Sequence, residues 1–514
     1  MKKLLAIVLS LVLCLGLAAG CGDDISQEDK EHSLIIEVFG GGYGTDWIDS
    51  LGDAYTKKTG QKVIVTVQTG QQGISNMTTN INSMVSDTDI FFTANPSFSD
   101  VYKGKVSVGD TQYDCLFAEM TDMYNSTIEG ENITVKDKMI DSFEEYFNMD
   151  GKYYFFPYST SMLGFVVNMG VWDTSWDIPR TTDELIALAR RIKNEKPDIA
   201  PFIYSLGDEY WTSISHTFFC QYEGIEQMNK FYQGFDPEGH RYSDNMVAYD
   251  GYYETLKFFE ELLKDNNKFM HSASKDIDFT NMQGLFLQGK AVFTPNGDWL
   301  EREMIYNYPD VNIKMIKTPV LSAVANKCSF ASAADKDAKL AALIDYVDGK
   351  TEKPSWATDG DVATVTEARS IEYVSGHESI ALIPCYSNQI SAAKDFLKFM
   401  ASDEGMKIFR AETKGCELPL NYTVAPSKDN STGFRKSIDE IMNRSVKCFV
   451  NSKDKVYSIG GVNVYLYNNN KGRWVNCFTA TSEKDYVDAL TYYNAEVAAV
   501  KKMLPTAKQK MGWN

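Results

Sequence analysis

Histidine is scarce in this 514-residue chain, and its five copies show no zinc-like spacing, so no zinc site of the usual kind is expected. Cysteine builds no framework either. Of nine cysteines, seven lie downstream of residue 21: Cys115, Cys220, Cys328, Cys385, Cys416, Cys448 and Cys477. None forms a Cys-x-x-Cys pair, and an odd number leaves at least one thiol unpaired. One or two disulfides could form outside a cell, but sequence does not pair them. Basic charge is in deficit, with 51 Lys and Arg against 70 Asp and Glu and a net charge of −19. Phosphates would be repelled, so no nucleic acid partner is expected. No serine nucleophile elbow, Walker loop, His-Glu-x-x-His helix or EF-hand loop occurs. Glu144-Glu145 and Glu260-Glu261 fall on helix surfaces where charge is ordinarily solvated, and Asp359-Gly360-Asp361 is too short a pattern for calcium. The expectation is a protein that is not an enzyme and carries no metal or cofactor. A glycan-acting enzyme, with two acids facing across a cleft, is the catalytic alternative left open.

Long apolar runs are confined to the first twenty residues. Lys2 and Lys3 precede Leu4–Leu17, an apolar run interrupted only by Ser10 and Gly16. That length suits the core of an export signal and is short for a membrane span. The run ends in Leu17-Ala18-Ala19-Gly20-Cys21, which resembles the lipobox of bacterial lipoproteins. The resemblance implies that residues 1–20 are a signal peptide and that Cys21 takes a diacylglyceryl group. Ala18 departs from the usual leucine three places before the cysteine. The plainer alternative is cleavage near Ala19 with Cys21 an ordinary thiol. Residues 21–33 are polar and acidic, as a flexible tether should be.

Aromatics are plentiful, with 29 Tyr, 28 Phe and 8 Trp. Most fill cores, yet Tyr and Trp also suit ligands that are both apolar-faced and hydroxylated. From residue 34 the chain reads as a βαβ unit. Leu34–Phe39 is a strand and Gly40–Gly44 a loop, with Asp46 placed to cap a helix. That helix carries Trp47, Leu51, Ala54 and Tyr55 on one face and stops at Gly60. Strands at 63–67 and 90–92 continue a parallel sheet with helical crossovers, giving an α/β fold. Ligands of such sheets sit beyond the carboxyl ends of the strands, which singles out loops 39–45, 68–73 and 93–98. The glycine loop fails as a dinucleotide fingerprint: Thr45 stands at the third glycine position, and Gln68-Thr69 offers no acid for a ribose. Further helices are expected from the Thr181–Glu184 cap, at 252–263, at 392–401, after Ser402 and at 483–503. Residues 349–370 read as a polar, loop-rich insertion.

Four stretches resemble the extracellular solute-binding proteins of ABC importers, in the carbohydrate-binding family 1 that includes maltose-binding-type lipoproteins. Phe286–Trp299 (FLQGKAVFTPNGDW) is similar to their F-x-x-G-K-A-A-M-x-x-N-G-x-W signature. Ser379–Pro384 with Ala392–Gly405 is similar to a second signature. Pro157-Tyr158 followed by Gly164–Asn168 resembles their first interlobe crossing, with Val167 in place of the common tyrosine. Asp89-Ile90-Phe91 matches a strand of the first lobe. The insertion at 349–370 and the tail after 425 depart from the typical member.

The resemblance implies a two-lobed periplasmic-binding-protein fold of type II with a hinge between the lobes. Mapping the crossings gives a first lobe of 34–160 plus 320–417 and a second of 161–319 plus 418–514. It implies a lipid-anchored, monomeric receptor on the outer face of the cell membrane. Such a receptor captures a carbohydrate, an oligosaccharide by expectation, and hands it to ABC permease subunits. The alternative is a receptor for a non-sugar solute or for a membrane sensor kinase. A sugar needs flat aromatics for its C–H faces and fixed donors and acceptors for its hydroxyls. In the second lobe Trp299, Asp298, Tyr210 and Trp211 are the candidates, with one of the 210–211 pair as a stacker. In the first they are Tyr43, Gln71, Gln72 and Asn95, each on a strand-end loop, with Tyr158 beside the first crossing.

Overall fold

The computed structural model describes residues 32–93, 98–205, 209–376, 379–422, 432–443, 445–463 and 473–513. Residues 1–31, on which the expected signal peptide, Cys21 and almost all of the expected tether fall, therefore lie outside the described residues. Strands are numbered β1 (Ser33–Phe39), β2 (Lys62–Gln68), β3 (Ile90–Thr93), β4 (Val106–Val108), β5 (Thr111–Tyr113), β6 (Phe155–Pro157), β7 (Met162–Asn168), β8 (Ala200–Phe202), β9 (Ala291–Gly297), β10 (Ile313–Ile316), β11 (Ile371–Val374), β12 (Ile380–Leu382) and β13 (Val446–Cys448).

The opening βαβ unit forms as its sequence predicts. β1 is buried from Ser33 to Val38, which a near-continuous apolar run favours. It pairs in parallel with β2 on one side and β3 on the other. Between them, helix Asp46–Thr59 buries Trp47, Ile48, Leu51 and Tyr55 and ends on Gly60 in the left-handed region at φ 80°. Thr45, rather than Asp46, occupies the cap position, without a side-chain bond; Asp46 is committed elsewhere, to Arg302. The first sheet runs β2-β1-β3-β12-β6, with β12 antiparallel to both neighbours.

The second sheet runs β13-β11-β7-β9-β8, and β10 shares an edge of β7 with β11. β7 is buried at all seven positions and sits at its centre. Helix Thr182–Glu195 packs nearby, its N-terminus closed by the Thr181 side chain accepting from the Glu184 amide. Two crossings lie side by side between the sheets. The first is 158–161, and the second leaves β11 after Val374 and enters β12 at Ile380. The Tyr158 amide donates to the Ser379 carbonyl at 2.9 Å, the Ser375 amide to the Ser161 carbonyl at 2.9 Å, and the Ser161 hydroxyl to Ser379 Oγ at 2.7 Å. Paired crossing strands of this kind form a hinge.

Two expectations are corrected here. The chain does not return to the first lobe at residue 320. β11 pairs with β7 and β13, so the chain through residue 374 belongs to the second sheet and re-entry comes only at β12. The stretch 349–370 is also not loop-rich throughout. Asp359–Ser370 is a helix opened by a capping box in which Thr358 and Asp361 satisfy each other's amides. Helix Gly433–Met442, β13 and helix Ala489–Met511 complete the second lobe. No described helix is long and apolar enough to cross a membrane.

Candidate functional site

β1 delivers its glycine loop to the face where the lobes meet. Gly42 and Gly44 have φ of 63° and 72°, a left-handed conformation that glycine adopts without a Cβ penalty. A Cβ at Gly44 would also lie 3.2 Å from Arg302 Nη2. From the opposite lobe, β9 ends in Asn296-Gly297 and turns through Asp298-Trp299 into helix Leu300–Met304. The Trp299 ring folds back over Gly297, where a Cβ would fall 2.3 Å from ring carbon Cζ3. It meets the Tyr210 ring at 6.2 Å with a 52° tilt, and only 8% of the residue is exposed.

Asp298 is the polar centre. It accepts from Tyr43 Oη of the first lobe at 2.6 Å and from Thr160 of the crossing at 3.3 Å, and it faces Arg435 Nη1 at 3.4 Å. Tyr43 Oη in turn accepts from Ser159 Oγ. Burial raises the Asp298 carboxyl above its ordinary range, and the Arg435 guanidinium is the largest opposing influence. The Tyr43 phenol is pushed well up, first by burial and then by the Asp298 charge. Arg435 is held by Asp439 at 2.8 Å from Nε. One turn beyond Trp299, Glu303 accepts from Gln283 Nε2 at 2.8 Å and from the Gly42 amide at 3.3 Å. Burial raises its carboxyl too. Arg302 ties the loop further, donating to the Tyr43 carbonyl at 3.2 Å and pairing with Asp46.

Of the residues singled out from sequence, Tyr43, Asp298, Trp299 and Tyr210 come together. Asp298 is buried rather than solvated. Trp211 does not join them. It is fully buried, packed among Phe165, Phe202, Tyr204 and Phe259 of the second-lobe core. Adjacent residues of helix Glu209–Glu223 point about 100° apart, so the helix that directs Tyr210 to Trp299 turns Trp211 inward. Tyr158 is buried and stacked on Trp47 at 5.5 Å, beneath the crossing. Gln72 is exposed on helix Gly70–Ser83, not in a loop, and donates to Asn76 Oδ1 at 2.9 Å. Gln71 lies on the same helix, because strand β2 passes into it after one residue. Asn95 falls outside the described residues.

Sequence reading missed Ser159, Thr160, Gln283, Glu303 and Arg435. Glu303 carried a usable signal, since it follows Trp299 by one helical turn. Arg435 carried none, because its partner is 137 residues away. Among the described residues no group of three or more His, Cys, Asp or Glu is placed to hold a metal ion.

Two α/β lobes joined by crossing strands, with an aromatic and polar cluster between them, define a hinged binding protein. The comparisons agree with that class. Residues 50–433 match the model of the bacterial extracellular solute-binding protein family, and the chain belongs to that family. Membership makes it a binding protein and not an enzyme. The chain has no match among curated proteins. Among solved structures it is similar to the bacterial solute receptor AcbH, with TM-score 0.61, 13% identity, and coverage of 94% of this chain and 99% of that one; AcbH is described as having an exclusive preference for β-D-galactopyranose. A protein from work on xylan utilisation by Caldanaerobius polysaccharolyticus gives TM-score 0.57 at 13% identity over 94% and 100% of the two chains. The binding protein RafE in complex with raffinose gives 0.56 at 13% over 92% and 100%. At these identities the likeness is one of fold, the two-lobed periplasmic-binding-protein fold.

Proposed function

We propose that this protein is the lipid-anchored receptor of an ABC importer and captures a carbohydrate between its lobes. The observation that carries this reading is the meeting of Trp299 and Tyr210 with the hydrogen-bonded Tyr43–Asp298–Arg435 set, drawn from both lobes. Flat rings beside fixed donors and acceptors suit the alternating apolar and hydroxylated faces of a sugar. The solved proteins of this fold bind β-D-galactopyranose and raffinose, which supports the same ligand class here. Contacts from both lobes give the ligand a higher affinity for the closed state, which drives hinge closure. Membership of a solute-binding family supports an importer as the partner and a monomer as the working form. A diacylated Cys21 with the acidic tether 21–33 would keep the receptor beside the permease.

Two experiments test this reading. A thermal-shift screen with an oligosaccharide panel is expected to raise the melting temperature. Ligand at a hundred times its Kd adds about 2.7 kcal/mol. Trp299→Ala should abolish the shift while the variant still melts cooperatively; retained binding would remove Trp299 from the site. A panel without effect, beside a shift from another solute class, would sink the carbohydrate reading. For the anchor, Cys21→Ser is expected to move the protein from the membrane fraction into the medium. Unchanged membrane retention would refute the lipid anchor.

A further inference from the structure

Two carboxylates of the interlobe face, Asp298 buried and Glu303 half-buried, are balanced differently. Asp298 has the Arg435 guanidinium at 3.4 Å, so its charge is compensated from within the protein. Glu303 has no cationic partner among the described residues. Its hydrogen-bond donors among the described residues are the Gln283 amide at 2.8 Å and the Gly42 N–H at 3.3 Å, both neutral. Gln283 is fully buried, and having given its N–H to Glu303 it leaves its own Oε1 enclosed without a partner among the described residues. A buried acceptor left unmatched is unfavourable, and a carboxylate withdrawn from part of its solvent with no cation beside it adds to the same demand. The pair thus presents a surplus of acceptors and a shortage of donors.

The surroundings fit the same demand. Glu303 stands one turn from Trp299, its amide donating to the Trp299 carbonyl at 2.9 Å, and Tyr210 packs on that indole. Aromatic faces attract cations as well as sugar C–H groups. What covers Glu303 is the glycine loop of the first lobe. A Cβ at Gly41 would lie 3.1 Å from Glu303 Oε1, so this loop lies against the carboxylate and uncovers it when the lobes part. The group that best answers several free acceptors and one uncompensated negative charge is a primary ammonium, with three donors and a positive charge. A hydroxyl supplies a single donor and no charge.

We propose that Glu303 and Gln283 form a specificity subsite for an amine, so that the preferred ligand is an amino sugar. This rests on the carbohydrate reading and narrows it. The ammonium displaces the Gly42 amide from Glu303, donates to Gln283 Oε1, and lies beside the Trp299–Tyr210 face.

Isothermal titration at pH 7 with three oligosaccharide series of matched length tests it: glucosamine, N-acetylglucosamine and glucose oligomers, all β-1,4-linked. Glucosamine oligomers are expected to bind at least about tenfold more tightly than the other two, the effect of a hydrogen bond to a charged group. Glu303→Gln, which keeps shape and removes charge, should bring the three within about twofold. Gln283→Met should reduce the preference independently, and melting of each unliganded variant checks its fold. Equal binding of the three series, a preference that survives Glu303→Gln, or no binding of any probe would overturn the proposal. Strong binding of the neutral series alone would overturn it while leaving the carbohydrate reading intact. Failure of all glycans beside Glu303-dependent binding of putrescine or spermidine would instead remove the carbohydrate reading and keep amine recognition by this pair.

Discussion

Replacing Lys138 by methionine is expected to cost about 3–5 kcal/mol of folding stability, the usual penalty for removing one partner of a buried ion pair. Lys138 closes the short helix Val135–Lys138, and its side chain is only 1% exposed. Its ammonium lies 2.5 Å from Glu131 and 2.8 Å from Asp403, and 4.7 Å from the centre of the Tyr422 ring. Its carbonyl accepts from the Asn421 amide at 2.6 Å. This one residue therefore joins the segment before β6, the helix starting at Asp403 and the stretch at Asn421-Tyr422. Without it two carboxylates face each other with no cation between them. Both are about one-fifth exposed, so water offsets part of the loss and the lower end of the range is expected. Urea unfolding measures it. A loss below about 1 kcal/mol would mean that the triad behaves as a surface pair.

The second large effect is a pH dependence centred on Glu372. This residue is fully buried on β11, accepting from the Thr318 amide at 3.0 Å and its hydroxyl at 2.6 Å. Burial pushes its carboxyl up to about 7, against the opposing pull of Thr318 and of Arg369. The folded chain therefore holds a proton that the unfolded chain releases near pH 4.5. The stabilisation is fully present below pH 4.5 and is lost as pH rises through about 7, about 3 kcal/mol in all. Unfolding free energy should fall between pH 5 and pH 8, and Glu372→Gln should flatten that part of the profile. An identical slope in both proteins would refute the assignment.

What could be read from sequence follows from how local its cause is. Helix Asp46–Thr59, the Gly60 stop and the Thr181 and Ser402 caps are each decided within a few residues, and each forms as expected. Trp299 and Asp298 stood in a motif, and Tyr43 on a glycine loop, so their meeting at the interlobe face was foreseeable. β11 was not. Ile371-Glu372-Tyr373-Val374 reads as a short apolar strand, but which sheet takes it depends on the open edge of β7, some two hundred residues earlier. The helix at 359–370 was hidden for a local reason. Asp and Gly are poor helix formers, and Asp361 serves as the capping-box partner in place of the more familiar Glu or Gln. Tyr210 and Trp211 are neighbours in sequence, and only the phase of their helix separates a ring that meets Trp299 from a core ring.

The position of β12 bears on how the chain is made. It lies between β3 and β6, yet it is synthesised more than two hundred residues after them. The first lobe cannot close its sheet until residue 382 has left the ribosome. The second waits longer still, for helix Ala489–Met511 to dock on helix Asp250–Leu263. Chains dominated by such distant pairings fold slowly. A nascent chain with neither half able to finish early stays open for most of its synthesis, the condition under which it can be threaded through a narrow translocation channel before it folds.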